Sequence, residues 1–204
     1  MALPGTVPLI VAVDNDFPAQ TLQALIAHAK ANPDKISYAA ARASQRVATG
    51  TFAGMAGLKM TYVPYKSSPN AVTDLMTAQL QLFTAELAAT LPPVKPGKIQ
   101  GLAVTSAKRT PLAAERLMVA ESGVPGFALL AWFGAWAPAG TPKEAIATLD
   151  AAINQAAESK ELRERMDAPG VELQPQSPEA LGRFAQAETP RWARAIRESG
   201  IESE

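Results

Sequence analysis

The chain has 204 residues, 48% of them hydrophobic, and its 19 basic and 19 acidic side chains leave a formal net charge of zero. That balance supplies no field to gather nucleic acid or an anionic membrane, and the length suits one domain or two small ones. The lack of cysteine removes disulfides, thiolate catalysis and the common zinc ligand sets, but fits either redox compartment.

Residues 8–13 form a short apolar run that leans to strand. Asp14, Asn15, Asp16, Phe17 and Pro18 then bring turn chemistry, and Leu22, Leu25, Ile26 and Ala29 recur at helical spacing over 21–31. Asn32-Pro33-Asp34 ends that helix, 36–40 reads as a strand, and Val47, Thr51, Phe52 and Met55 make the stripe of a second helix. Strands follow at 60–63, 80–83 and 99–105, separated by a helix on Val72, Leu75 and Met76 and a short one over 87–94. Alternation at these lengths predicts an α/β fold with a mostly parallel sheet and helices on both faces.

The texture changes at the aromatic run Ala131-Trp132-Phe133-Gly134-Ala135-Trp136. In a crossing strand such aromatics are expected to pack rather than to meet a ligand. Thr141-Pro142-Lys143-Glu144 reads as a capping box with proline at the first helical position, before an apolar face of Ile146, Leu149, Ile153 and Ala156. Residues 160–166 stay helical, Pro169-Gly170 breaks the helix, and 171–173 form a brief strand. Ser177-Pro178-Glu179 starts a last helix carrying Leu181, Phe184, Trp192 and Ile196, with Gly200 as its stop and Pro190 predicting a kink or break. No apolar run approaches the roughly 20 residues of a membrane helix, and residues 1–5 have neither the basic nor the apolar region of a secretory signal.

Little catalytic chemistry is on offer. His28, the single histidine, lies off the apolar stripe of its helix. Gly50, Gly54 and Gly57 fall within and after a helix rather than in a phosphate loop, so close packing and helix termination explain them. Asp14 and Asp16 suit turn and helix-start roles, and no further acids follow at metal-ligand spacing. The short basic clusters at Lys108-Arg109 and 163–165 are diluted by neighbouring acids into a solvated surface.

The remaining candidates are the loops at the carboxyl ends of strands, where open α/β sheets hold ligands. In the segment from Tyr38 to Gln45, Ser44 could offer its hydroxyl and adjacent helix amides to a carboxylate, and Arg42 could pair with one directly. Thr84-Ala85-Glu86 lies just past the strand at 80–83, and Tyr65-Lys66-Ser67-Ser68 just past the one at 60–63. Each also reads as an ordinary capped, solvated loop.

The order of segments carries a resemblance. Pro18-Ala19-Gln20-Thr21-Leu22, Ala29-Lys30-Ala31-Asn32-Pro33-Asp34-Lys35, Val63-Pro64-Tyr65-Lys66, Thr73-Asp74-Leu75, the run from Leu102 to Arg109, Gly123-Val124-Pro125-Gly126, Trp132-Phe133-Gly134 and Ala137-Pro138-Ala139-Gly140-Thr141-Pro142 together resemble the solute receptors of tripartite tricarboxylate transporters, the Bug or TctC family. The resemblance spans nearly the whole chain. It implies a periplasmic receptor of the type II binding-protein class, whose two α/β lobes close on a small carboxylate and deliver it to membrane permease subunits. No cofactor, metal or catalytic residue is implied.

Set against that family, the chain is expected to lack a signal peptide and about the first third. Residues 11–130 are then expected to be a complete second lobe, 131–140 a crossing strand or hinge, and 141–204 the helical return of an incomplete first lobe. Unburied apolar faces on those last helices predict a homodimer or a swapped assembly. The family's glycine-rich loop is here Ala39-Ala40-Ala41-Arg42-Ala43, less free to adopt positive φ, and its aspartate-asparagine pair is Ala85-Glu86. Ser44 matches a retained serine. The ligand contacts expected are thus Tyr38, Arg42, Ser44, Gln45, Thr84 and Glu86. The alternatives are an oligomeric interaction protein without a small ligand, and an enzyme using Ser44 or Glu86, for which no partner base or acid is evident.

Overall fold

The computed structural model describes residues 5–110, 113, 115–167 and 170–199. The expected helix breaks at Pro169 and Gly200 lie outside the described residues. In chain order the elements are β1 (Gly5–Asp14), α1 (Leu22–Ala31), β2 (Ser37–Ala40), α2 (Ala43–Ala56), β3 (Thr61–Pro64), α3 (Ser68–Met76), β4 (Leu82–Glu86), α4 (Leu87–Val94), β5 (Ile99–Val104) and β6 (Leu117–Met118). They are followed by β7 (Leu130–Phe133), α5 (Lys143–Glu158), α6 (Lys160–Asp167), β8 (Glu172–Leu173) and α7 (Pro178–Glu198). Two compact units result, one of Pro8–Leu130 with Arg194–Glu204, the other of Met1–Val7 with Ala131–Ala193.

The larger unit is built on a sheet of order β3-β2-β4-β1-β5-β6. β2 runs parallel to β3 and β4, and β5 to β6, while the central β1 is antiparallel to both β4 and β5. Every residue of β1 is buried, as suits an apolar strand in the middle of a covered sheet. The fold is α/β with a mostly parallel sheet, as the alternation of elements predicts. On one face Ala39, Phe83 and Ala85 pack with Val72 and Leu75 of α3 and Val94 of α4. On the other, α2 covers β2 and β4. Its Phe52 is fully buried and meets Phe127 edge-on at 6.5 Å, a burial that contributes about 1.5–3 kcal/mol. Of the expected α2 stripe, Val47, Thr51 and Phe52 are buried but Met55 is exposed.

Local signals set the helix ends. Thr21 caps α1 by accepting from Ala24 N at 3.1 Å, and the Asn32 N–H closes it on the carbonyls of His28 and Ala29. β4 begins later than expected, at Leu82, and its ladder with β1 carries on through Thr84, Ala85 and Glu86. Those three residues therefore end a strand rather than start a loop.

In the smaller unit β8 pairs with the first residues of β1, Gly5 with Leu173 and Thr6 with Glu172. Three expectations change there. The capping box does not form: Pro142 is the N-cap of α5 without a side-chain bond, and the Thr141 hydroxyl donates instead to Pro138 O at 2.8 Å. Pro190 does not break α7, which is continuous over Pro178–Glu198. Glu188 spans the proline, accepting from the Arg191 guanidinium and from Trp192 Nε1, so side chains tie the helix across the position where proline donates no backbone bond. The aromatic run is only partly packed: Trp132 meets Phe184 edge-on at 5.4 Å, while Phe133 and Trp136 are 55% and 58% exposed.

The end of α7 also departs from the expected division, which assigned all of 141–204 to one lobe. From Arg194 onward it belongs to the larger unit. The physical cause is glycine: a Cβ on Gly50 would lie 2.5 Å from Ser199 Cβ, and one on Gly54 3.0 Å from Glu198 O. Two bare positions on α2 admit the α7 backbone, and Thr51 Oγ1 bonds Ala195 O at 3.3 Å beside them.

Candidate functional site

Because β3, β2 and β4 are adjacent and parallel, their carboxyl ends share one edge of the sheet, and α3, α2 and α4 start from it. None of these three helices has a side-chain cap; the N-cap residues are Ser67, Arg42 and Glu86. The first backbone bond of α2 runs from Arg46 N to Arg42 O at 3.1 Å. The N–H groups of Ala43, Ser44 and Gln45 consequently have no intrahelical acceptor, and they sit at the positive end of the helix dipole.

Gln45 ties this edge together. Its Oε1 accepts from Ala41 N at 2.8 Å, and its Nε2 donates to Ser68 Oγ at 2.9 Å and to Glu86 Oε2 at 2.7 Å. A carboxylate only accepts, so the bond to Glu86 fixes which end of the amide is nitrogen. The side chain is fully buried. Both amide hydrogens of Gln45 are committed to Ser68 and Glu86, so the side chain links the start of α2 to the start of α3 and the end of β4.

The other expected contacts divide. Ser44 is half-buried at the second position of α2, and Arg42 is exposed just before it. Glu86 is half-buried at the end of β4. Thr84 is 1% exposed, and its Oγ1 has no hydrogen-bond partner. Strand alternation puts Thr84 on the same face as Glu86, opposite the Phe83 and Ala85 side that meets α3. Tyr38 does not join the group around Gln45. It lines a cavity of about 330 Å³ with Asp34, Gly50, Gly54, Lys59 and Glu198, toward the far half of α2. Its ring lies 5.6 Å from Tyr62, over which the Arg46 guanidinium sits at 4.4 Å. Burial pushes the Tyr38 hydroxyl above its ordinary range and Arg46 partly opposes this. Alternation along β2 places Tyr38 opposite Ala39, on the α2 side.

Ser68, in the candidate loop after β3 but not among the expected ligand contacts, is a bonding partner of Gln45 at the first residue of α3. Arg46 and Tyr62 carried no signal, since their contact joins a helix to a strand across the fold. Asp14 is used locally: its Oδ1 accepts from Asp16 N at 3.1 Å, and its carbonyl from Phe17 N. His28 is half-buried against Phe17. Among the described residues no three metal-ligating side chains cluster, and no helix is long and apolar enough to cross a membrane.

The sequence matches the family described as Tripartite tricarboxylate transporter family receptor over residues 3–201. It is 31% identical over 202 residues to Protein BugT of Bordetella pertussis, covering 98% of this chain and 62% of that protein. Two solved structures are similar at 31% identity: Rpa4515 of R. palustris with adipate, at a TM-score of 0.87 over 98% of this chain and 67% of that one, and the periplasmic binding protein BugD, at 0.85 over 100% and 69%. The chain spans about three fifths of the length of most of the curated relatives it matches.

Proposed function

The chain belongs to the tripartite tricarboxylate transporter family receptors, and from that premise we propose that it binds a small carboxylate at the sheet edge where α2, α3 and α4 begin. The observation that carries this reading is the uncapped start of α2, whose free N–H groups stand beside Ser44 and Arg42 while Gln45 locks the surrounding loops. A carboxylate there gains backbone N–H bonds, the helix dipole and a guanidinium partner. Arg42, Ser44 and Glu86 are the contacts, with Thr84 beneath them and Gln45 positioning them. Tyr38 is left out because it lines the separate cavity.

In this reading residues 11–130 supply the ligand-binding lobe. The receptor works in the periplasm, delivers its ligand to membrane permease subunits and performs no reaction. The adipate-bound relative supports a carboxylate ligand. Calorimetry of the chain against a panel of dicarboxylates and aromatic acids tests the reading: saturable heat with at least one acid is expected, and silence across the panel overturns it.

A second reading follows from Phe133 and Trp136, which expose more than half their surface in the smaller unit. Two copies of the chain burying these aromatics against each other would form a homodimer. Sedimentation that stays monomeric at all accessible concentrations contradicts it.

A further inference from the structure

The cavity beside Tyr38 lies wholly within the larger unit, toward the end of α2 opposite the carboxylate edge. At about 330 Å³ it is at the small end of ligand pockets. Two helices finish against it: Ala53 and Gly54 belong to the last turn of α2, and Glu198 and Ser199 close α7. Helix ends of this kind concentrate negative potential on their carbonyls, and the last turn of α2 carries no basic residue to offset it. Glu198 O and Ser199 O reach the glycine face of α2, each 3.0 Å from where a Cβ on Gly54 or Gly50 would stand. Asp34 adds a full charge. Its backbone is pinned at φ +61°, with its N–H donating to Lys59 O at 3.1 Å and its carbonyl accepting from Thr61 Oγ1 at 3.4 Å. Glu198 is paired with Arg194, but among the described residues no ion pair includes Asp34. Tyr38 is 7% exposed, and among the described residues its hydroxyl, facing the cavity, has no hydrogen-bond partner. Two cations stand nearby. Lys59 lines the cavity but is exposed, where water screens its charge, and Arg46 is turned to the Tyr62 ring.

We propose that this cavity binds a small organic ammonium ion, with Asp34 as its ion-pairing partner and the Tyr38 hydroxyl and helix-end carbonyls as further acceptors. An anion would instead meet two helix C-termini and two carboxylates there. The two ends of α2 thus present opposite polarities, N–H groups at its start and carbonyls at its finish. The site stands whether or not a carboxylate binds at the sheet edge.

Butylammonium and butanol share a carbon chain and differ in charge, so titrating each into the isotope-labelled full chain by nuclear magnetic resonance tests the assignment. Butylammonium is expected to shift the amides of Gly54, Lys59 and Ser199 saturably, leave those of Ala43, Ser44 and Gln45 unmoved, and bind at least about tenfold tighter than butanol. Asp34→Asn removes the charge while asparagine tolerates the left-handed φ, and should weaken butylammonium binding at least about fivefold. If that variant fails to fold, Tyr38→Phe, which deletes one acceptor, should weaken it about threefold. Butanol binding as tightly, shifts at the start of α2 in place of the cavity, or unchanged affinity in the folded variant overturns the proposal. So does the absence of any saturable shift.

Discussion

Thr84 keeps a hydroxyl in the interior without a hydrogen-bond partner, on the strand face that also carries Glu86. Burying an unpaired polar group costs about 1–3 kcal/mol, so Thr84→Val, close to isosteric, should leave stability unchanged or raise it slightly in urea melts. If the same substitution weakens acid binding in calorimetry, the hydroxyl serves the ligand; if it does neither, Thr84 has no part in the site. Gln45 is the opposite case, with its amide fully used. Gln45→Leu would strand the Ala41 N–H and the Glu86 carboxylate, and is expected to cost at least about 2 kcal/mol, read from the urea midpoint. Asp14 adds a pH dependence. Burial raises its carboxyl above the ordinary 3.8, so the folded state takes up the proton first and pays for the charge once it is lost. Stability from this group is therefore greatest below 3.8 and falls as the pH rises through the raised value. Asp14→Asn, which keeps an acceptor for Asp16 N, should gain thermal stability over the parent at neutral pH and lose that advantage on acidification.

At the scale of elements, α2 has two functions at its two ends. Its start forms the candidate site, and its glycines receive the end of α7. Gly50→Ala has to displace Ser199, since the added carbon would lie 2.5 Å from Ser199 Cβ. Overpacking of this kind costs about 1–3 kcal/mol. Gly57→Ala meets no neighbour within 4 Å, and only its φ of +66° opposes alanine, so about 1 kcal/mol is expected there. Limited proteolysis separates the two: the α7 end should become cleavable in Gly50→Ala and stay protected in Gly57→Ala. The strand register was harder to read from sequence. Residues 80–83 have the apolar character of a strand, but β4 reaches Glu86 because β1 lies beside it to accept the ladder. Pro190 shows the same dependence, because Glu188, Arg191 and Trp192 tie the helix across it only once their side chains have met.

For the whole molecule, the chain divides into units that it enters and leaves within β1, β7 and α7. The smaller unit leaves Phe133, Trp136 and Leu149 exposed. Phe133→Ser with Trp136→Ser should remove concentration-dependent association in sedimentation while leaving the far-ultraviolet dichroism unchanged. Persistent association in the double variant would place the contact elsewhere.

The sequence by itself determined the alternation of strands and helices, the α/β class, the family and the candidate strand-end loops. Those properties rest on local periodicity, turn residues and the order of short segments, all of which survive reading one residue after another. Only the tertiary structure decided that Gln45 bonds Ala41, Ser68 and Glu86, that Tyr38 lines a cavity with Gly50 and Gly54, and that Thr84 is buried unpaired. Ser68 and Glu86 lie 23 and 41 residues from Gln45 in sequence. Parallel strands separated by helices bring them onto one edge, and no local pattern encodes which side chains meet there.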